Sequence, residues 1–241
     1  MKALSVVVPV YNEESTVVPL LERVVQAPLP AGIEELELVA VDDGSSDATW
    51  ERLNAWRPGE RGDAIPVTTR RLHHERNQGK GAALRTGFAA ARGDIYLVQD
   101  ADLEYDPSDY PVLLQPILDG LADVVYGSRF LGGPHRVLLF WHAVGNHFLT
   151  LVSNMFTGLN LTDMETCYKV FTADVIKRIR LVSNRFGIEP EVTAKVARLG
   201  CRVYEVPIAY HGRTYAEGKK IGWRDGVTAI WTILRFNLLA R

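Results

Sequence analysis

A chain of 241 residues is long enough for one α/β domain with a sizeable core and short for two complete ones. Its 47% hydrophobic and 23% charged content is ordinary for a globular protein, and a net charge of −2 gives no basic excess for nucleic acid. Two cysteines, Cys167 and Cys201, exclude a disulfide framework and point to a reducing compartment, and no apolar run reaches the roughly 18 residues of a membrane span.

The N-terminus carries no leader signature and runs straight into Leu4-Ser5-Val6-Val7-Val8-Pro9-Val10, a β-branched stretch that reads as an interior strand. A soluble or peripheral cytoplasmic protein is expected. Val17, Leu20, Leu21, Val24 and Val25 recur at helical spacing, with Pro19 in the first turn, where a missing N–H costs little. A second strand, Leu36 to Val41, ends in Asp42-Asp43-Gly44-Ser45-Ser46-Asp47, and the turn predicts a short helix capped by Ser46 or Asp47. Residues 57–64 read as a surface loop and 67–72 as a third strand. Asn77-Gln78-Gly79-Lys80-Gly81 opens an Ala-rich helix closing at Gly93, and Ile95-Tyr96-Leu97-Val98 is a buried strand. This β-α-β-α-β-α-β order favours a mostly parallel, right-handed wound sheet, in which ligands bind beyond the carboxyl ends of the strands. Residues 9–13, Asp42-Asp43 and the residues after Val98 should therefore share one cleft.

Further on, a helix runs to Leu118 and a strand from Asp123 to Gly127 ends in Ser128-Arg129. Residues 137–159 are the most apolar long segment. Their polar members, among them His142, Asn146, Thr150 and Ser153, fall at helical steps and predict a narrow polar stripe beside a wide apolar face. Residues 163–171 read as a strand, 190–198 as a helix and 202–208 as a strand. The final helix, from Gly222 to Arg241, puts Trp223, Val227, Ile230, Trp231, Leu234 and Leu238 on one face, flanked by Arg224, Arg235 and Arg241.

After Val98 the chain reads Gln99-Asp100-Ala101-Asp102-Leu103-Glu104. In an extended chain, side chains two apart share a face, so Asp100, Asp102 and Glu104 could line one side. Three carboxylates together repel unless something compensates them. Mg²⁺ or Mn²⁺ would do so, since these hard cations take one or two carboxylates plus substrate phosphates. A solvated acidic turn ended by Pro107 is the alternative that these residues alone leave open.

Four motifs in this order resemble the family 2 glycosyltransferases: Val8-Pro9-Val10-Tyr11-Asn12-Glu13, Val41-Asp42-Asp43-Gly44-Ser45-Ser46-Asp47, Asn77-Gln78-Gly79-Lys80-Gly81 and Gln99-Asp100-Ala101-Asp102. Tyr126-Gly127-Ser128-Arg129, residues 163–171, and Tyr210-His211-Gly212-Arg213 with Lys219-Lys220 narrow the likeness to the dolichyl- or polyprenyl-phosphate sugar synthases. The resemblance implies a GT-A fold: a single α/β domain over residues 1–222, with a Rossmann-like wound sheet and flanking helices. Residues 1–104 would form the nucleotide-sugar half and 105–222 the acceptor half, followed by an amphipathic helix over 223–241. It implies that Pro9, Tyr11 and Glu13 contact base and ribose, Asp43 the base edge, and Asp100, Ala101 and Asp102 the metal-bridged diphosphate. Glu104 stands where many members carry Gln, as a candidate third ligand. Lys169 stands where Arg is frequent, which keeps the cation without the planar fork.

The implied reaction is inverting transfer of a hexose from a GDP-mannose or UDP-glucose type donor to a polyprenyl phosphate. A phosphate acceptor is already ionised and needs no strong base, so positioning and charge screening remain. Cations should converge on it, and Arg129, Arg213, Lys169 and Lys219 are the candidates. Gly79 and Lys80 at a helix start could cradle phosphate, and residues 213–220, with Gly212 and Gly218 as hinges, could close over the donor. Asp163 is the acidic candidate for positioning such a cation; Glu189 beside Pro190 reads first as helix capping. His211 reads as a loop residue rather than a metal ligand. The helices over 137–159 and 223–241 could grip a lipid chain, lie on a membrane interface, or pack on the sheet or in a homodimer. Two alternatives stand beside this reading: the same donor chemistry with a hydroxyl acceptor, and a catalytically silent sugar-nucleotide binder. A dinucleotide-binding loop is disfavoured, because the third glycine and the ribose-binding acid are not at the required spacing.

Overall fold

The computed structural model describes residues 2–132, 135–137, 140–213 and 223–239. Strands β1 (Lys2–Val10), β2 (Ile33–Asp42), β3 (Val67–His73), β4 (Ile95–Val98), β5 (Val124–Ser128), β6 (Lys169–Thr172) and β7 (Val203–Pro207) form one sheet in the order β3-β2-β1-β4-β6-β5-β7. The helices are α1 (Val17–Val25), α2 (Thr49–Ala55), α3 (Lys80–Ala90), α4 (Tyr110–Leu118), α5 (Phe140–Thr157), α6 (Ala173–Arg178), α7 (Ile188–Arg198) and α8 (Trp223–Leu234). A π-helical turn, Arg235–Leu239, extends α8.

Leu4, Val6, Val7 and Val8 of β1 expose nothing on either face, as an interior parallel strand requires. Val8 lies beside Ala40 of β2 and Val7 beside Val98 of β4, so these three parallel strands end along one edge. There the residues after Val10, Asp42 and Val98 meet. Helix α3 crosses β1 so closely that a Cβ on Gly87 would overlap Val7 Cγ1. β6 runs antiparallel between β4 and β5, pairing Val170 with both Leu97 and Val125, while β7 extends β5 in parallel.

The opposite edge is tied by Glu37, which is nearly buried. Its carboxylate accepts from Ser5 Oγ at 2.5 Å, Arg92 N at 2.7 Å and Arg70 Nε at 2.7 Å. Burial pushes the carboxyl up, but the bonds from Ser5, Arg92 and Arg70 outweigh it and hold the group below its usual 4.5. A depressed carboxylate contributes stability above its unfolded value, and that contribution disappears as pH falls through the folded one. Glu37→Gln is therefore expected to cost about 1.5–3 kcal/mol at pH 7, the scale of a charge-assisted hydrogen bond. The difference from the parent should shrink below about pH 4, read by denaturant unfolding across pH.

Several expectations need correction. Only Lys169–Thr172 of the 163–171 stretch is a strand; residues 163–168 form a loop. The N–H groups of Thr162 and Asp163 go to the Glu205 carboxylate instead of a ladder. Ser46 does not cap α2: its N–H reaches Asn12 Oδ1 at 2.9 Å, and Asp47 Oδ1 accepts from Thr49 N at 3.0 Å. Residues 101–104 turn rather than extend, with Leu103 at φ 62°. Helix α5 buries Thr150 and Ser153 of its polar stripe and leaves Phe140, Trp141, Phe148, Leu151 and Met155 of its apolar face exposed. Gly218, Lys219, Lys220, Gly222, Arg241 and the side chains of Trp223 and Arg224 lie outside the described residues.

Candidate active site

The turn after β1 is laced to the turn after β2. Asn12, at φ 52°, donates its N–H to Ser45 Oγ at 2.9 Å, and Glu13 N donates to Thr49 Oγ1 at 2.9 Å. Tyr11 is left 38% exposed at the rim and Pro9 half-buried. Asp43 is buried with its carboxylate turned towards the loop before α3. It accepts from Gly79 N at 2.6 Å, Gln78 N at 3.0 Å and Asn77 Nδ2 at 2.9 Å, and meets His74 Nδ1 at 2.7 Å. With its acceptor positions filled, Asp43 shapes the loop that presents Lys80. Gly79 takes φ 103°, and a Cβ there would run into the Asn184 carbonyl.

Lys80 Nζ stands 2.9 Å from Asp100 Oδ1 and 3.1 Å from Glu189 Oε1. Burial works against this ammonium, but Asp100, Cys167 and Glu189 outweigh it and keep it charged. Asp102 lies under Arg213, whose Nη2 is 3.1 Å from its Oδ2 and 3.6 Å from Glu13 Oε1. Glu104 accepts from Tyr210 Oη at 2.6 Å and from Arg213 N at 2.9 Å, and Arg213 Nε lies 3.3 Å from the oxygen that accepts its own backbone N–H. Both Glu104 oxygens thus hold the 210–213 segment against the acidic turn. The Asp102 carboxyl is pushed up to about 7, by burial first and then by Asp100 and Glu104, against the pull of Arg213.

Among the described residues, no three His, Cys, Asp or Glu side chains are grouped to hold a metal ion. Asp100 and Asp102 nevertheless fit one. They offer hard oxygen donors, Asp100 adds to the burial that lifts the Asp102 carboxyl, and two side-chain cations already stand against them. A pair of this kind leaves the remaining coordination to substrate phosphate.

On the other side, Arg129 at the end of β5 grips Asp163 with a planar fork: Nε to Oδ2 at 2.6 Å and Nη2 to Oδ1 at 2.7 Å, with Arg129 N also on Oδ2 at 3.1 Å. Asp163 has no exposed surface. The guanidinium lies 5.2 Å from the Tyr210 ring and 5.6 Å from Phe130, so Tyr210 joins the Arg129 side to the Glu104 side. Lys169 is buried beneath. Its ammonium donates to the Met164 and Thr166 carbonyls and sits 4.9 Å from the Tyr126 ring. Burial lowers its pKa, beyond what Glu189 and the neighbouring anions restore.

Two carboxyls beside this network have buried oxygens without a hydrogen-bond partner: Glu165 Oε1 and Glu189 Oε2. Glu165 is pushed up to about 8, by burial first and then by Glu189, although Lys169 and Arg129 oppose this. The structure thus brings Lys80, Asp100, Asp102, Glu104, Arg213 and Glu13 together, and joins Arg129 to Asp163. Ala101 is buried between the two aspartates. Glu165 and Tyr210 lie in stretches that carry the family likeness, but their contacts with Arg129, Lys169 and Glu104 emerge only in three dimensions. Glu189 sits in the first turn of α7 as capping would have it, but its side chain is engaged by Lys80.

The sequence profile described as Glycosyl transferase family 2 matches residues 5–180. An undecaprenyl-phosphate mannosyltransferase of Micrococcus luteus is 31% identical over 254 residues, covering 100% of this chain and 96% of its own. A dodecaprenyl-phosphate galacturonate synthase of Rhizobium johnstonii is also 31% identical, over 90% of this chain, and the chain spans 61% of its length. Among solved structures, glucosyl-3-phosphoglycerate synthase from Mycobacterium tuberculosis, with Mn²⁺, UDP and glucosyl-3-phosphoglycerate, superposes with a TM-score of 0.69 at 22% identity. That match covers 98% of this chain and 80% of the other. The fold is the expected GT-A arrangement in a single domain, with a mostly parallel seven-stranded sheet and flanking helices.

Proposed function

The chain belongs to glycosyl transferase family 2, and from that premise we propose that it moves a hexose from a nucleotide sugar to a polyprenyl phosphate in a metal-dependent, inverting reaction. The observation that carries the acceptor is the Arg129–Asp163 fork: Asp163, without exposed surface, is committed to fixing a cation rather than to taking a proton. A phosphate oxygen needs that cation and no base; a sugar or peptide hydroxyl needs the reverse. The 96% coverage of the undecaprenyl-phosphate mannosyltransferase supports the same choice.

In this reading Asp100 and Asp102 would hold Mg²⁺ or Mn²⁺, which supplies Lewis-acid stabilisation of the departing diphosphate. Glu104 fixes Tyr210 and Arg213, since both its oxygens already accept from them. Lys80 and Arg213 screen diphosphate charge from opposite sides of the acidic turn. Tyr11 and Glu13 form the nucleoside rim, with Asp43 holding the loop behind it. Arg129, kept rigid by Asp163, orients the acceptor phosphate, and Lys169 adds positive potential from below. An acceptor oxygen bonds the sugar C1 as the C1–O bond to the diphosphate breaks, and the electron pair leaves on the nucleoside diphosphate. Attack opposite the leaving group inverts C1. Both cysteines are free, which suits the cytoplasmic face of a membrane.

A hydroxyl acceptor would have to use Glu165 or Glu189, and burial together with Glu189 pushes the Glu165 carboxyl up, which favours its protonated form over a base. Nucleoside diphosphate release is expected only when lipid phosphate is present, across a panel of donors with Mg²⁺ or Mn²⁺. Glu165→Gln should retain it within about threefold, well short of the roughly 10²–10⁴-fold that loss of a general base costs. Release driven by a saccharide or peptide hydroxyl, and lost in Glu165→Gln, would favour the other acceptor.

A further inference from the structure

Lys80 covers the whole Asp100 carboxylate. Its ammonium stands 2.9 Å from Oδ1 and 3.0 Å from Oδ2, and its third contact is Glu189 Oε1 at 3.1 Å. An ammonium has three N–H donors, so these three oxygens use all of them. The backbone on both sides is fixed. Gly79 before Lys80 takes φ 103°, and Ala82 N donates to the Asn184 carbonyl at 3.1 Å. Glu189 lies in the first turn of α7, where Thr193 Oγ1 donates to its carbonyl at 2.9 Å. Yet its second carboxylate oxygen, Oε2, is buried without a hydrogen-bond partner, and such an oxygen is costly to leave unmet. The residue lines a small cavity with Leu84, Cys167, Lys169 and Val192, which gives the carboxylate room to turn.

A hard divalent ion at Asp100 needs an oxygen that this ammonium now covers, and two cations on one carboxylate repel. We propose that Glu189 is a positioning residue that draws Lys80 off Asp100 when the metal binds, so that Lys80 is the ion's stand-in until then. Both Glu189 oxygens then hold the ammonium, the unmet Oε2 gains its donor, and one N–H of Lys80 remains for the donor diphosphate. The inference rests on the metal-dependent reading above and deepens it. Arg213 is not a second stand-in of this kind. It reaches one Asp102 oxygen, at 3.1 Å, and is shared with Glu13 and Glu104. The other Asp102 oxygen accepts from Glu104 N at 3.1 Å. Lys80 has a single alternative partner, and that partner is already in contact with it.

The test is Mn²⁺ titration of the full chain, followed by electron paramagnetic resonance with neither sugar donor nor lipid present. Lys80→Met is expected to bind Mn²⁺ at least about fivefold more tightly than the parent, the scale of coupling within one ion-pair network. Glu189→Gln should bind it at least about fivefold more weakly, because the ammonium then keeps Asp100 as its only anion. Adding Glu189→Gln to Lys80→Met should change the affinity by less than about twofold, as independent sites do. An equal loss in both backgrounds would mean that Glu189 merely attracts the ion, and overturns the proposal. So does a Lys80→Met protein that binds Mn²⁺ no more tightly than the parent, a result that stands even if Glu189→Gln does not fold. Asp102→Asn, titrated alongside, separates this proposal from the reading beneath it. Parent-like affinity there removes the metal site and the proposal with it, whereas weakened binding there, with no response to Lys80→Met, overturns the proposal alone. Turnover of lipid phosphate is measured apart, so an acceptor of another kind leaves these titrations unchanged.

Discussion

Asp102→Asn is expected to lower donor turnover by about 10²–10³-fold, the scale of removing one preorganised group that meets developing charge, without loss of the fold. Asp102 and Asp100 are the carboxylates that fit a divalent ion, and Asn keeps the shape while removing the charge. Mn²⁺ titration followed by electron paramagnetic resonance should show correspondingly weaker binding. Stability should move the other way. Burial, Asp100 and Glu104 push the Asp102 carboxyl up to about 7. A raised carboxyl leaves stability intact below its unfolded value and erodes it as pH rises through the folded one. Without metal, the Asp102→Asn variant should therefore unfold at an equal or higher temperature than the parent at about pH 8, with the difference vanishing near pH 4. Parent-like Mn²⁺ affinity and turnover in the variant would contradict the assignment of the site.

Replacing Arg129 gives the second large effect, and it divides into two parts. Arg129→Ala leaves Asp163 fully buried and unpaired, which costs about 3–5 kcal/mol, the range for removing one partner of a buried pair. Arg129→Met combined with Asp163→Leu removes both charges, and replacement of a buried pair by apolar groups is often neutral or better. The double variant is expected to recover most of that stability and none of the activity. Asp163→Asn should keep the fold and lose most turnover, through a loosened guanidinium rather than a missing base. Its pH–rate profile should keep the parent shape, whereas loss of a base would flatten the acidic limb. Recovery of turnover in the doubly substituted protein would remove both residues from the chemistry.

The donor half is legible in the sequence because its signals are local. A run of Val residues bounded by Tyr11-Asn12-Glu13, and acidic residues closing two further strands, fix both the strands and the edge where they end. Contacts that arise over long separations are not legible. Glu104 reads as a candidate third metal ligand, and its bonds from Tyr210 and Arg213, 106 and 109 positions away, are visible only in the fold. Glu189 reads as a capping acid until Lys80 arrives from α3. For residues 137–159 the periodicity gives the two faces but not which one turns inward. The 161–164 loop decides that, because its backbone N–H and carbonyl groups need the hydroxyls and amide that the polar stripe provides. The Asp163–Tyr168 loop departs from a strand for a similar reason: Glu205 and Arg129 offer the polar groups at its start better partners than a neighbouring ladder.

The most direct test of the central claim is the fate of the lipid phosphate, followed by phosphorus NMR and mass spectrometry of the extracted lipid during turnover. The polyprenyl phosphate monoester resonance is expected to convert into a sugar phosphodiester, one for each nucleoside diphosphate released and with inverted C1. A monoester that persists unchanged while nucleoside diphosphate accumulates would show that the sugar goes elsewhere and contradict the account.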